Sequence, residues 1–330
     1  MACRVSTETQ GKNTVYTLHD DATGASAAIL PSFGFNLFDL RLPVAGEVRR
    51  VIDAAADFAA KPSHPGRNGT PILFPYPNRV RAGQFAFHGK SYQLPISLAP
   101  NAIHGFALDV PWDVVEHKAE GNEASLTGRY QISKNSPEMR RNWPSDAVLQ
   151  VRYGLSGRQL SMTITVTNPT VDDLPYGFGI HPYFPLPFRA SGDLAKTRVV
   201  LPAGKFWVLE GFLPTGEIRP VDDRLDFRKG QAMKGLKLDD VLTDLAFEGD
   251  RCVCRLVDVE LGAEFRLSFD RTFRELVVYT PPGAGNIIAL EPYTQTTDAI
   301  NLEARGVDAG LRVLGHGRQE TFRITMETVG

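Results

Sequence analysis

The stretch QLSMTITVT, residues 159–167, alternates apolar and polar side chains with a strict period of two. Such alternation is typical of a β-strand that buries one face and exposes the other. Just upstream, residues 149–155 alternate in the same way, and Ser156-Gly157-Arg158 supplies a turn between the two runs. Together the two runs predict an antiparallel β-hairpin.

The same period recurs along the chain, whereas helix signals are sparse. Further alternating runs occupy residues 38–42, 85–94 with a turn at His88-Gly89-Lys90, 112–122, 265–269 and 322–326. The best helix signal is Ser136-Pro137-Glu138-Met139, in which Ser136 is the expected cap and Pro137 opens the first turn. The chain has 30 Gly and 23 Pro, spread without a linker or a fixed repeat. It therefore predicts one all-β domain over residues 1–330, a large antiparallel β-sandwich.

Composition and charge narrow the class of protein. The 330 residues include 36 basic and 38 acidic side chains, for a net charge of −2. Nucleic-acid binders usually carry a basic face, and no long Lys/Arg run is present, so no nucleic-acid partner is expected. No run of 18 apolar residues predicts a membrane span, and the N-terminus lacks the apolar core of a secretory signal. These features favour a cytoplasmic protein.

The three cysteines are too few for a disulfide framework. Cys252 and Cys254 are separated by one residue, so they are expected on the same face of a strand, and a bridge between them would strain the backbone. We therefore expect free thiols in a reducing compartment. No Cys/His cluster with the spacing of zinc ligands is present, and no Gly-rich segment follows a βα unit. These patterns therefore nominate neither a zinc site nor a nucleotide-binding loop.

Four segments place an ionisable residue among aromatic, Gly and Pro residues. They are FPYPNRVR (74–81), NAIHGF (101–106), PYGFGIHPYF (175–184) and IIALEPYTQ (287–295). Ionisable side chains are rarely buried unless they are paired. A cleft with aromatic walls and a few ionisable groups suits a sugar, because its apolar faces stack and its hydroxyls need hydrogen-bond partners.

Each segment also has a purely structural interpretation. Asn78-Arg79 fits a turn with a surface arginine, His104 and His181 fit loop histidines, and Asp239-Asp240 fits an acidic turn. Glu291 is harder to explain in this way, since it closes a buried apolar run and a buried carboxylate needs a partner or a function.

In order and spacing, these segments resemble the aldose 1-epimerase family, the galactose-mutarotase-like enzymes. The resemblance runs from about Gly24 to the C-terminus. Its matching pieces are Asn78-Arg79, the 83–94 hairpin, Asn101-x-x-His104-Gly105, residues 160–168, residues 179–184, Leu238-Asp239-Asp240, and Glu291 with residues 298–301. The resemblance implies the family's fold, a large antiparallel β-sandwich called the galactose mutarotase-like supersandwich, and a reaction without metal or cofactor.

The resemblance also implies acid–base ring opening of a sugar. It makes Glu291 the general base that takes the proton of the anomeric hydroxyl, and His181 the general acid that protonates the ring oxygen. The open-chain aldehyde then rotates about its first carbon–carbon bond and closes with the other configuration. The residues implied to hold the sugar are Asn78, Arg79, His104 on the ring-oxygen side, and Asp239, with Asp240 as the alternative to Asp239.

The departures from the family pattern concern the sugar more than the reaction. Phe106 follows Gly105 where many members have a second glycine, and Ile180 precedes His181 where many have asparagine.

A free aldose such as galactose or glucose is the first expectation for the substrate. A hexose phosphate is the runner-up, with one of Arg79 and Arg81 as the candidate for the hydroxyls and the other for the phosphate. A third interpretation is a non-catalytic carbohydrate-binding or sensor protein, which needs neither an acid nor a base.

Overall fold

The structure, a computed structural model, describes residues 3–189 and 191–329 and consists mainly of β-strands. The strands of the first half of the chain are β1 (Cys3–Gln10), β2 (Asn13–Asp20), β3 (Ala25–Leu30), β4 (Asn36–Val44), β5 (Glu47–Arg50), β6 (Ile72–Leu73), β7 (Arg79–Val80), β8 (Gln84–Phe87), β9 (Lys90–Gln93), β10 (Ala102–Ile103), β11 (Asp113–Glu120), β12 (Glu123–Gln131), β13 (Val148–Ser156) and β14 (Gln159–Thr167). Those of the second half are β15 (Leu174–Tyr176), β16 (Gly179–Ile180), β17 (Tyr183–Pro185), β18 (Thr197–Val200), β19 (Ala203–Glu210), β20 (Leu213–Pro220), β21 (Gln231–Ala232), β22 (Asp239–Leu245), β23 (Arg251–Asp258), β24 (Ala263–Asp270), β25 (Glu275–Tyr279), β26 (Ile287–Tyr293), β27 (Arg312–Leu314) and β28 (Gln319–Val329).

Three sheets contain most of these strands, and three two-stranded ladders complete the set within the described residues. The largest sheet has nine strands in the order β11-β12-β13-β14-β28-β24-β23-β18-β21. The second has eight strands: seven follow the order β20-β19-β22-β25-β26-β16-β6, and β17 also pairs with β26. The third sheet has five strands, β1 to β5, in chain order. The ladders pair β7 with β10, β8 with β9 and β15 with β27.

The two largest sheets enclose the main core, which confirms the predicted antiparallel sandwich. Aromatic rings bridge them: Phe184 on β17 lies 5.0 Å from Phe265 on β24, measured between ring centroids. Phe322 on β28 is likewise 5.4 Å from Phe273, which precedes β25. Burial of such apolar surface is the dominant force holding stacked sheets together.

The strand that positions the later site is β26, which is buried along its whole length. Successive side chains of a strand point to opposite faces. Ile288 and Leu290 accordingly belong to the main core, whereas Ala289 belongs to a separate cluster on the other face of the strand. Glu291 is two residues beyond Ala289, so its side chain points to that same face. A strand covered on both faces is held rigidly, so the carboxylate that it carries has a fixed position.

The predicted hairpin is present as β13 and β14, paired from Val148↔Thr167 to Ser156↔Gln159.

The predicted helix is wrong in type, because Pro137–Asn142 forms a 3₁₀ helix. The Ser136 hydroxyl does not cap it; that oxygen accepts a hydrogen bond from Tyr130 and donates one to the carbonyl of Phe106. The remaining helices are α1 (Ile132–Asn135), α2 (Ala299–Glu303) and the 3₁₀ turns Arg81–Gly83 and Leu194–Lys196.

The cysteines are free and buried, as expected, with Cys252 and Cys254 on the same face of β23. No helix within residues 3–189 and 191–329 is both long and apolar enough to cross a membrane.

Candidate active site

All six residues singled out from the sequence line one cavity of about 250 Å³. They come from segments far apart in the chain: Asn78, Arg79, His104, His181, Asp239 and Glu291. The remaining lining residues are Gly66, Arg67, Ile103, Tyr183, Val277 and Tyr279. The fold therefore brings together five distant stretches of sequence over one face of the eight-stranded sheet, where Asp239 pairs in register with Tyr279 and Val277 pairs with Glu291.

Glu291 is the centre of this cavity. It is 1% exposed, and on β26 it pairs in register with Val277 of β25. One carboxylate oxygen, Oε1, lies 3.1 Å from Nε2 of His181, and the other, Oε2, accepts a hydrogen bond from the Tyr293 hydroxyl. Burial raises the pKa of Glu291 well above its ordinary range, while the Tyr293 hydrogen bond opposes that shift.

His181 lies between β16 and β17, where its backbone N–H donates to the carbonyl of Pro71 at 3.0 Å. Its ring stacks on Tyr183, with centroids 4.6 Å apart, and Nε2 is 3.3 Å from the Tyr183 hydroxyl. That hydroxyl is fixed in turn, since it donates to the carbonyl of Gly66. Burial, followed by the neighbouring His104, lowers the pKa of His181 well below its ordinary value. These contacts hold the ring with Nε2 turned to Glu291.

Two paired segments present Asn78, Arg79 and His104. Strands β7 and β10 pair Arg79 with Ile103, and the His104 N–H donates to the Asn78 carbonyl at 2.9 Å. Asn78 and His104 both have a positive φ, 55° and 66°. The Arg79 guanidinium donates to the Asn78 side-chain oxygen at 2.9 Å and covers the ring of Phe212 at 4.9 Å. Burial, and then Arg79, lower the pKa of His104 to about 3, so this imidazole is neutral at neutral pH.

Gly105 explains why this loop has its shape. Its φ is +74°, and a Cβ placed there would lie 2.1 Å from the carbonyl oxygen of Phe74. Only glycine fits such an approach of two backbones. The glycine after His104 therefore fixes the imidazole at the cavity wall.

The structure distinguishes Asp239 from Asp240. Asp239 lines the cavity, where burial raises its pKa and Arg79 opposes that shift. Asp240, the next residue on β22, accepts two hydrogen bonds of 2.8 Å each from the guanidinium of Arg224. Because neighbours on a strand point to opposite faces, only Asp239 turns its carboxylate toward Glu291.

Several lining residues were not predicted. Arg67 donates to Asp53 at 3.1 Å and lies 4.8 Å above the Tyr183 ring, but it sits in an irregular loop without any sequence pattern. Tyr183 lines the cavity, and Tyr293 donates a hydrogen bond to Glu291 without being a lining residue; both lie within segments quoted above, where aromatic packing is the simplest interpretation. Arg81, considered for a phosphate, lies 3.7 Å from Asp298 and does not line the cavity.

The chemistry available here is proton transfer. Across the described part of the chain, no group of three or more His, Cys, Asp or Glu side chains is arranged to hold a metal ion. A carboxylate oxygen and an imidazole nitrogen lie 3.1 Å apart, and both are withdrawn from water. Such a pair can remove a proton from one oxygen and deliver another to a second oxygen on the same carbon.

Solved structures show that this architecture is shared. A galactose mutarotase-like protein from Clostridium acetobutylicum superimposes with a TM-score of 0.88 over 100% of this chain and 99% of that chain, at 22% identity. A galactose 1-epimerase from Lactobacillus acidophilus NCFM gives 0.75 over 99% and 98%, at 18% identity. At these identities the likeness defines the fold class, that of the galactose mutarotase-like β-sandwich proteins.

The sequence specifies the family within that class. The model of the aldose 1-epimerase family matches residues 14–327, so this chain belongs to the aldose 1-epimerase family. Galactose mutarotase of Rattus norvegicus is 30% identical over 154 residues, which are 46% of this chain and 43% of that protein. The chain thus matches less than half the length of this relative. Family membership is consistent with action on a small sugar.

Proposed function

We propose that this protein is an aldose 1-epimerase, a mutarotase that interconverts the α and β anomers of a free aldose. The observation that carries the proposal is the 3.1 Å approach of His181 Nε2 to Glu291 Oε1 inside a cavity lined by hydroxyl-binding side chains. The anomeric hydroxyl and the ring oxygen of an aldose are bonded to the same carbon. The short distance between His181 and Glu291 therefore matches the short distance between the anomeric oxygen and the ring oxygen.

In the proposed reaction, Glu291 accepts the proton of the anomeric hydroxyl while His181 donates a proton to the ring oxygen. The bond between the anomeric carbon and the ring oxygen breaks, and the anomeric oxygen becomes the carbonyl oxygen of an open-chain aldehyde. After rotation about the first carbon–carbon bond, the transfers run in reverse and the ring closes. Each proton transfer contributes about 10²–10⁴ in rate, because neither oxygen has to carry a full charge.

The protonation states of Glu291 and His181 fit these roles. Burial raises the pKa of Glu291 and lowers that of His181, which favours a protonated carboxyl beside a neutral imidazole. Moving that single proton across the 3.1 Å contact gives the carboxylate and imidazolium that the reaction needs. The Tyr293 hydrogen bond and the Arg79 charge favour this second form, because both lower the pKa of Glu291, whereas the Asp239 charge raises that pKa and opposes them.

The remaining polar residues hold the sugar. Arg79 and Asn78 donate hydrogen bonds to hydroxyls, and Asp239 accepts them from the other side of the cavity. The neutral imidazole of His104, whose ring centroid is 5.7 Å from that of His181, lies on the ring-oxygen side. Its Nδ1 is buried and has no hydrogen-bond partner among the described residues.

The geometry favours a free aldose over a hexose phosphate. Arg81 is engaged with Asp298 outside the cavity, and Arg67 already donates to Asp53. A phosphate needs cations that are free to face it. A purely sugar-binding protein would not need the acid–base contact, so catalysis is what has to be tested.

The test is to measure the exchange between anomers directly. NMR exchange spectroscopy on the anomeric protons of glucose, galactose and glucose 6-phosphate should show acceleration by the protein with at least one free aldose. Glu291→Gln preserves size and one acceptor but not the base, so turnover should fall by about 10²–10⁴ with sugar affinity retained. Glu275→Gln, a matched change of a buried carboxyl outside the cavity, should retain activity. Full activity in Glu291→Gln, or no exchange with any aldose, would refute the proposal.

A further inference from the structure

A β-hairpin outside the candidate cavity contacts one of the residues that line it. Strands β19 and β20 are joined by the two-residue loop Gly211-Phe212, and Glu210 pairs with Leu213 on either side of that loop. The guanidinium carbon of Arg79 lies 4.9 Å from the centre of the Phe212 ring. Arg79 lines the cavity, whereas no residue of the hairpin is among the described lining residues. The contact therefore acts on the cavity from outside it.

Phe212 is an unfavourable residue for its place in the fold. Both loop residues have a positive φ, 58° at Gly211 and 66° at Phe212. Two-residue hairpin loops of this kind prefer glycine and asparagine, because a larger side chain is strained at such a φ. Phe212 is also 53% exposed, so its ring contributes little to the core. Neither the turn nor the core accounts for an aromatic side chain here, whereas the contact with Arg79 does.

The loop is anchored to the sheet that carries Glu291. Strand β19 pairs antiparallel with β22 as far as Phe206↔Leu242, and this direction carries the loop toward the end of β22 at which Asp239 stands. Leu209, near the loop, packs against the buried apolar cluster that contains Val277 of the cavity wall. The base of the hairpin is thereby held against the wall of the cavity.

We propose that Phe212 is a positioning residue, whose ring holds the Arg79 guanidinium in the orientation that receives the sugar hydroxyls. This inference rests on the proposed function, in which Arg79 donates hydrogen bonds to those hydroxyls. An arginine side chain has many rotamers, and a contact that restricts them beforehand lowers the entropy lost on binding. The Asn78 side-chain oxygen fixes one N–H of Arg79 at 2.9 Å, and a cation–π contact consumes no hydrogen-bond donor.

The experiment removes the ring and measures anomer exchange by NMR with the best aldose substrate. Asparagine tolerates a positive φ, so Phe212→Asn should melt at the same temperature as the unsubstituted protein or higher. Its KM should rise about two- to fivefold while kcat stays within about twofold, because Arg79 binds the ground state and the transition state alike. That rise corresponds to about 0.5–1 kcal/mol at about 1.4 kcal/mol per decade. Phe212→Trp keeps an aromatic face for the guanidinium and should keep the original KM.

A second arginine–phenylalanine contact supplies the control. Arg271 lies 4.6 Å from the ring of Phe247, and neither residue lines the cavity, so Phe247→Leu should leave KM unchanged. Substitution of Arg79 shows whether Phe212 acts through it. In an Arg79→Gln protein, Phe212→Asn should no longer change the sugar affinity, which calorimetric titration measures without requiring turnover.

Two results would overturn the inference while anomer exchange still upholds the proposed function. One is an unchanged KM in Phe212→Asn. The other is an equal loss of sugar affinity on Phe212→Asn with and without Arg79, because the ring would then act independently of the guanidinium. No exchange with any aldose would instead refute the proposed function, and this inference with it.

Discussion

Removing the Tyr293 hydroxyl tests how the proposed base is held. Tyr293 donates to Oε2 of Glu291, the oxygen that does not face His181, and its ring is fully buried. Tyr293→Phe keeps the ring and deletes only this donor. The carboxylate form of Glu291 loses stabilisation, whereas the protonated form loses much less, so the pKa of Glu291 should rise further.

The size of the effect follows from the kind of hydrogen bond that is lost. A hydrogen bond to a charged group contributes about 1.5–3 kcal/mol. At about 1.4 kcal/mol per pKa unit, the proton on Glu291 should be released about 1–2 pH units higher. Activity falls on the alkaline side as the pair of Glu291 and His181 loses the single proton that it holds. Because burial raises the pKa of Glu291, the unsubstituted protein should keep this proton, and its activity, above pH 4.5, the ordinary value for Glu.

The assay is the pH profile of kcat for anomer exchange. In Tyr293→Phe the alkaline limb should move up by about 1–2 pH units, and kcat at neutral pH should fall about 10- to 100-fold, because the carboxylate form is less populated. Tyr176→Phe is the matched control, because Tyr176 is equally buried and donates to a carboxylate, Glu320, outside the cavity. That control should lose stability without moving the profile. A Tyr293→Phe protein with the original alkaline limb would refute the assignment of Glu291 as the base.

Four further outcomes are expected. His181→Asn should lower kcat about 10²-fold or more in a folded protein; a lower melting temperature with normal turnover would point to packing alone. Asp239→Asn should lower kcat/KM about tenfold or more, whereas Asp240→Asn should stay within about threefold, and the reverse order would exchange their roles. Gly105→Ala should destabilise the fold by on the order of 2 kcal/mol or more in urea titrations, since its Cβ would meet a backbone oxygen. Burial raises the pKa of Glu275 to about 8 from 4.5, so the unfolded chain releases that proton first and the free energy of unfolding should fall by about 4 kcal/mol from pH 5 to pH 8. Glu275→Gln should remove most of that slope, and a slope that persists would exclude Glu275 as its cause.

The sheet architecture was predictable because alternation reports directly on which face of a strand is buried. The run at residues 159–167 has the burial pattern that its sequence predicts, with every second residue inside. The helix at Pro137 was predicted in place but not in type, because a turn this short depends on tertiary contacts of Ser136 rather than on its cap.

The site was predictable only where a side chain contradicts its surroundings. Glu291 closes an apolar run, and this conflict singles it out in the sequence. Arg67 lies in an exposed-looking loop, and only the fold reveals that its guanidinium covers Tyr183 at the cavity. Asp239 and Asp240 are adjacent and chemically identical, so the choice between them requires the direction of β22, which one sequence does not report.

Burial alone does not make a carboxyl group a catalyst, as a comparison of Glu275 with Glu291 on this sheet shows. Glu275 and Glu291 lie on neighbouring strands, β25 and β26, and both are at most 1% exposed. Glu275 receives a hydrogen bond from Trp207 at 3.0 Å, but its Oε1 has no partner within the described chain, and it does not line the cavity that Glu291 lines. Glu275 therefore has no neighbouring acid with which to exchange its proton. Glu291 differs in having an imidazole at 3.1 Å to exchange that proton with and a space beside both groups for a substrate. The partner and the space, rather than the raised pKa that the two carboxyl groups share, are the reasons for proposing Glu291 as the base.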